Sequence, residues 1–147
     1  MTDRKKKEGN SVTAKEYLGQ YLEIDRLINS KKRTLQKLRL QSVSLSAAGQ
    51  GTKVKGTSGD RIRILDRIMD MESEITTQEL RLIEKQREIL NKIQLVCNSN
   101  LIAVLTDKYI NGLSFEKIAE LNDKSVRTIC VWHGQALQIF RRETGMA

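Results

Sequence analysis

A chain of 147 residues is about the length of one domain, enough for one hydrophobic core and hardly enough for two independent ones. No run of about eighteen apolar residues occurs, so no membrane-spanning helix is expected. A formal net charge of +8, from 26 Lys and Arg against 18 Asp and Glu, favours a polyanionic partner, although any single Lys run also reads as a solvated tail.

The charge is unevenly spread. Residues 1–41 hold eleven basic against five acidic side chains, residues 61–97 balance at seven each, and residues 98–147 hold six against five. The excess gathers toward the N-terminal end, where "MTDRKKKEGN" carries charge with no apolar stretch behind it. A secretory signal is therefore not expected, the cytoplasm is the expected compartment, and residues 1–13 read as a basic flexible arm. Cys97 and Cys130 are the only cysteines and His133 the only histidine, too few for a structural zinc site. In a reducing compartment the two thiols are expected to be free and partly buried, although spacing alone does not distinguish this from a disulfide. No metal or cofactor is expected. Nor is an enzyme, because paired carboxylates in a cleft, a phosphate-cradling glycine loop and a nucleophile constellation are all missing from the pattern.

With no proline and no sustained strand-like alternation, the chain reads as all-α. A first helix is expected from about Ala14 to Leu45, because Tyr17, Tyr21, Ile24, Ile28, Lys31, Leu35, Leu38, Ser42 and Leu45 keep an alternating four-and-three spacing. Residues 46–60, "SAAGQGTKVKGTSGD", are small, polar and glycine-rich, a composition suited to a flexible connection inside an antiparallel hairpin. A second long helix, capped by Ser58 or Asp60, is expected to run to about Cys97. Ile68, Ile75, Leu82, Ile89 and Val96 recur every seven residues along it, with Leu65, Met71 and Ile93 on adjoining positions. Glu84, Glu88, Arg81, Lys85 and Lys92 intersperse as on a solvated coiled-coil flank. Helices of this length, roughly 50 Å at 1.5 Å per residue, cannot bury such stripes alone. The stripes must meet each other or those of a second subunit, so residues 14–97 read as a coiled-coil-like hairpin.

Residues 98–147 change character and read as a small three-helix domain. "NSN" supplies a helix start, Leu101, Ile102, Leu105 and Tyr109 mark a short amphipathic helix, and Asn111 with Gly112 suits its C-cap. Ser114 is an N-cap candidate for the next helix. Its apolar pattern runs through Phe115, Ile118, Ala119 and Leu121, lapses over Asn122 to Ser125, and resumes through Val126, Ile129, Trp132, Ala136 and Leu137 to about Arg142. Two helices joined by so short a turn must cross steeply, with Ala119 small where they pass.

Placing Ile129 inward and stepping 100° per residue puts Trp132, His133, Ala136 and Phe140 on the buried side. Arg127, Val131, Gly134 and Gln138 then face outward, flanked by Thr128 and Gln135. A guanidinium, a hydroxyl, amides and one methyl-bearing side chain are the groups that read base edges in a duplex groove, and Gly134 permits close approach. Arg141, Arg142, Lys124, Lys117 and the free amides at Ser114 and Ser125 are candidate phosphate contacts. His133 and Trp132 are expected to serve as packed core rather than as catalyst or base-stacking platform. The competing structural account is an ordinary three-helix cluster with a polar outer face.

"GLSFEKIAELNDKSVRTICVWHGQALQIF" resembles region 4 of bacterial sigma factors, and is similar still more closely to phage-encoded regulators of the ArpU type, which place a long helical hairpin ahead of such a module. The resemblance covers residues 101–140 by motif and residues 15–97 by layout alone. Its matching positions are Ser114, Ile118, Ala119, Glu120, Ser125, Arg127, Ile129, His133, Ala136 and Leu137. Asn122 and Asp123 depart from it, standing where the pattern prefers an apolar residue and a glycine, though both tolerate left-handed backbone. The resemblance implies a helix-turn-helix transcriptional regulator of phage or prophage origin, acting at the nucleoid on duplex DNA and contacting RNA polymerase. A homodimer through the hairpin fits the heptads.

Two other function classes fit the same sequence. A small terminase-like packaging subunit also joins a helix-turn-helix to helical oligomerisation segments, and would form a ring of many subunits. An interaction protein with a merely structural terminal module would show no DNA retention at low salt.

Overall fold

The computed structural model describes residues 11–48 and 57–147, and all regular structure among them is helical. In chain order these elements are α1 (Ala14–Ala48), α2 (Thr57–Ile93), a 3-10 turn (Gln94–Val96), α3 (Ser99–Tyr109), α4 (Phe115–Leu121) and α5 (Val126–Thr144). No helix among the described residues is long and apolar enough to cross a membrane. Most of the expected basic arm and the centre of the expected 46–60 connection, residues 49–56, lie outside the described residues. At the edges of that connection, residues 46–48 and 57–60 are helical rather than loop. α2 ends at Ile93, short of Cys97, because the chain tightens into the 3-10 turn and Cys97 then takes a left-handed φ of 56°.

Contacts group the chain into two compact units, residues 23–84 and residues 11–22 with 85–147, so α1 and α2 contribute to both. In the first unit Ile28, Leu35, Ile68 and Ile75 form the core, with Ile24, Leu38, Ile64, Met71 and Leu82 packed against it. These are the heptad positions, each worth about 1.5–3 kcal/mol when fully buried. Leu65 departs from the expected stripe and is exposed. One residue from Ile64, it is turned about 100° off the buried line. Lys31 pairs with Glu74, Lys32 with Glu79 and Arg39 with Glu72, every cation coming from α1 and every carboxylate from α2. Being solvent-exposed, these pairs contribute little individually and serve more to fix register.

The second unit is built on Ala14, Tyr17, Leu18, Ile89, Ile93, Val96, Leu101, Leu105, Ile110, Ala136, Leu137 and Phe140. The first turn of α1 is fixed by a capping box. The Thr13 amide donates to Glu16 Oε2 at 2.9 Å and the Glu16 amide donates to Thr13 Oγ1 at 3.2 Å. Tyr17 then packs on Phe140, ring centroids 6.2 Å apart, while its hydroxyl donates to Glu88 of α2 at 2.5 Å. Burial and the adjacent Glu88 carboxylate push the phenol above its ordinary range, and the phenol's hydrogen bond holds Glu88 below the usual carboxylate value. The start of α1, the end of α2 and α5 therefore share one core.

A smaller core, Val104, Ile118, Ala119 and Ile129 with Leu113, Phe115 and Trp132 against it, joins α3, α4 and α5. Asn98 caps α3 by accepting from the amides of Asn100 and Leu101, both at 3.1 Å. That helix is capped at Ile110 rather than Asn111, and Gly112 follows with φ 67°.

Between α4 and α5 the chain turns over Asn122, Asp123, Lys124 and Ser125. The Lys124 amide donates to Ala119 O at 3.0 Å and the Asp123 amide to Glu120 O at 3.3 Å, the paired bonds of a Schellman cap. That motif needs a left-handed residue, and Asp123 supplies it with φ 51°. The Asn122 side-chain amide donates to Ile118 O at 2.7 Å, satisfying another terminal carbonyl. Ser125 Oγ accepts from the Thr128 amide at 3.1 Å and starts α5 at once. Since a side chain in left-handed backbone costs roughly 1–2 kcal/mol, less for Asp, Asp123→Gly should raise stability by up to about 1 kcal/mol and Asp123→Val should lower it by at least as much. Urea unfolding of the three chains measures both, and equal midpoints would contradict the assigned backbone.

Candidate nucleic-acid interface

α5 separates its faces sharply. Ile129, Ala136, Leu137 and Phe140 are buried, and Trp132 is half-buried against both cores of its unit. Arg127, Val131, Gly134 and Gln138 follow one another at intervals of four, three and four residues and are all exposed, Val131 by 51% despite its apolar side chain. Gln135 and Arg142 are exposed on the flanking row. A Cβ added at Gly134 would meet nothing within 4 Å, so the middle of this face is open.

The candidate residues differ in how free they are. Lys124 and Arg127 have no acidic partner among the described residues, whereas Lys117 Nζ pairs with Glu120 at 3.1 Å and Arg142 Nε with Glu143 at 3.2 Å. Thr128 is half-buried, and its hydroxyl sits 2.9 Å from Ser125 Oγ, so it belongs to the helix cap as much as to the outer face. Arg141 is half-buried as well, with its Nε enclosed and without a hydrogen-bond partner. Ser114 and Lys117 stand at the start of α4, where Ser114 Oγ accepts from the Lys117 amide at 3.2 Å. The outer face of α5 therefore comprises the row Arg127, Val131, Gly134 and Gln138 with Gln135 and Arg142 beside it and Lys124 and Ser125 at its head, while Ser114 and Lys117 belong to a different helix start.

His133 lies in the packing between elements. Its ring stacks on Tyr109 of α3 at 5.7 Å and meets the edge of Phe115 of α4 at 5.1 Å. Its Nε2 is 2.9 Å from the Tyr109 hydroxyl. Burial, then the charges of Lys15 and Lys108, hold its pKa below the ordinary histidine value, so the ring is neutral near pH 7 and shares one hydrogen bond with the phenol, whose direction follows the ring's tautomer. Tyr109 is the partner that periodicity alone misses, because it reads simply as an apolar mark on α3. The carboxylates Glu116, Glu120, Asp123 and Glu143, also exposed or partly exposed around these helices, temper the local positive charge. Both cysteines are free and exposed, not partly buried as expected: Cys97 follows the helix end and Cys130 falls beside, not on, the inward line of α5.

Comparison with protein-family models, with curated proteins and with solved structures finds no match.

His133 gives this region a defined pH response. Its folded pKa is depressed, so the stability it contributes is present above the unfolded value of about 6.5 and is lost as pH falls through the folded value. Denaturation midpoints measured from pH 8 down to pH 5 should fall in that window for the native chain. His133→Gln, which keeps a hydrogen-bond partner for Tyr109, should flatten the fall, and an unchanged profile would contradict the neutral assignment.

Proposed function

We propose that the chain is a sequence-specific DNA-binding transcriptional regulator in which α4, the Asn122–Ser125 turn and α5 act as a helix-turn-helix, with α5 as the recognition helix. The single observation that supports this most is the exposed row Arg127, Val131, Gly134 and Gln138 set opposite the buried Ile129, Ala136 and Phe140. Guanidinium, amide and methyl groups at successive turns match the major-groove patterns of guanine, adenine and thymine respectively. The start of α5, with Ser125 capping and Lys124 unpaired among the described residues, suits a phosphate, since helix N-termini attract anions. α1 and α2 are read as an antiparallel hairpin ahead of this module, the layout of the ArpU-type regulators that the sequence resembles. Contact with RNA polymerase, phage origin and a place at the nucleoid belong to the same proposal.

Base contact by Arg127 makes a quantitative prediction. On a duplex selected by the protein itself, Arg127→Ala should lose roughly 1–3 kcal/mol of affinity and relax preference at one position. Deleting residues 4–7 should instead weaken binding to all sequences alike and reduce the salt slope by about 0.9 for each phosphate that is no longer neutralised. Affinity and preference unchanged by Arg127→Ala would count against α5 as the reading element. Gly134→Ala separates folding from binding. It should stabilise the free chain by about 0.5–1 kcal/mol, since the added methyl has room, yet weaken DNA binding if the backbone approaches the groove there. Tighter or equal binding by that variant would show that the duplex does not come close at this turn.

A further inference from the structure

α2 carries a second apolar line that its own unit does not cover. Ile62, Leu65, Met69, Leu80 and Ile83 are all exposed, from 43% at Leu65 to 67% at Met69. At 100° per residue they fall within an arc of roughly 60°, about a third of a turn from the buried line through Ile64, Ile68, Ile75 and Leu82. Soluble helices keep one apolar stripe for the core and leave the other faces polar, so a second stripe of this regularity marks a surface made to be covered. All of it lies within the unit of residues 23–84.

We infer that a second copy of this chain covers it, the two α2 helices lying antiparallel across a two-fold axis between Glu72 and Ser73. The order of the stripe is what identifies the occupant. Counted outward from that point, Met69 is level with Thr76, Leu65 with Leu80 and Ile62 with Ile83. An isologous contact requires that residue i meet residue j and j meet i, and here it opposes Ile to Ile, Leu to Leu and large Met to small Thr. Ser73, small and polar, falls where the helices cross most closely.

Charge and area agree with this arrangement. On one flank, Asp66 comes within two residues of level with Arg81 of the second copy and Glu84 within two of level with Arg63, an axial offset of about 3 Å that these long side chains span, all four being exposed. Arg81 has no acidic partner within its own chain among the described residues, and Arg63 has only a loose contact with Asp60 at 3.8 Å. Each exposed Leu, Ile or Met side chain offers on the order of 100 Å², the area implied by its transfer free energy. Five from each copy therefore remove at most about 1,000 Å², and the flanking side chains supply the rest of the roughly 1,200–2,000 Å² of a stable interface. The association is independent of what α5 binds.

The test is the mass of the full chain in solution by sedimentation. The native chain should be a dimer, and Leu65→Glu with Leu80→Glu should convert it to a monomer with an unchanged helical circular-dichroism signal, since both positions are exposed in the single chain. A monomeric native chain, or a double variant that keeps the dimer mass, would overturn the inference. Register is tested in a Cys97→Ser, Cys130→Ser background. Chains carrying Leu65→Cys and chains carrying Leu80→Cys should form disulfide-linked dimers when mixed and not alone. Cross-linking of each alone would mean a parallel pair and would overturn the antiparallel contact.

Discussion

Two helix caps placed back to back, with no residue to spare between them, carry the account of this protein. The Schellman bonds that close α4 end on Lys124, and Ser125 already accepts the amide that opens α5. Such a connection leaves the chain no room to lay α5 alongside α4, so the direction of α5 is set by backbone hydrogen bonding at four residues. The left-handed φ at Asp123 is the constraint on which those bonds depend. A glycine would hold it with less strain, and the Asn122 and Ser125 side chains make up part of the difference by satisfying neighbouring terminal groups.

Everything else in the second unit serves to hold that geometry from the inside. Ile118 and Ala119 of α4, Val104 of α3 and Ile129 of α5 meet in one small core, and Phe140 carries the far end of α5 into the larger core with Tyr17. His133 and Tyr109 add a polar contact within that packing. With its inner side fully committed, α5 has only one face left for a ligand. On that face the groups are a guanidinium, amides, a valine and a glycine, a set poor in carboxylates and rich in groups that pair with base edges.

Much of this is legible in the residues because the governing signals are local. The three- and four-residue spacing of Tyr17, Ile28, Leu35 and Ile75 locates the long helices, and the polar lapse from Asn122 to Ser125 locates the turn together with its cap. Three features are less accessible. The helical backbone at residues 46–48 and 57–60 is one, because their small, polar and glycine-rich composition reads as a connection. The pairing of Tyr109 with His133 joins residues on separate helices, and no periodicity reports a contact between them. The exposure of the two thiols follows from the phase of α5 and from the tightened end of α2, where one residue of rotation changes which face a side chain occupies. One further signal is local and easily passed over: Thr13 and Glu16 spell a capping box, which fixes the start of α1 one residue after the expected arm ends.

The most direct measurement is amide NMR of the full chain during titration with a duplex enriched by the protein from random sequence. If α5 reads the groove, the largest shifts will follow the outward row at Arg127, Val131, Gly134 and Gln138 and the amides of Lys124 and Ser125, with Ile129 and Ala136 moving far less. Failure of selection to enrich any sequence, or shifts confined to other helices while this row stays still, would contradict the account.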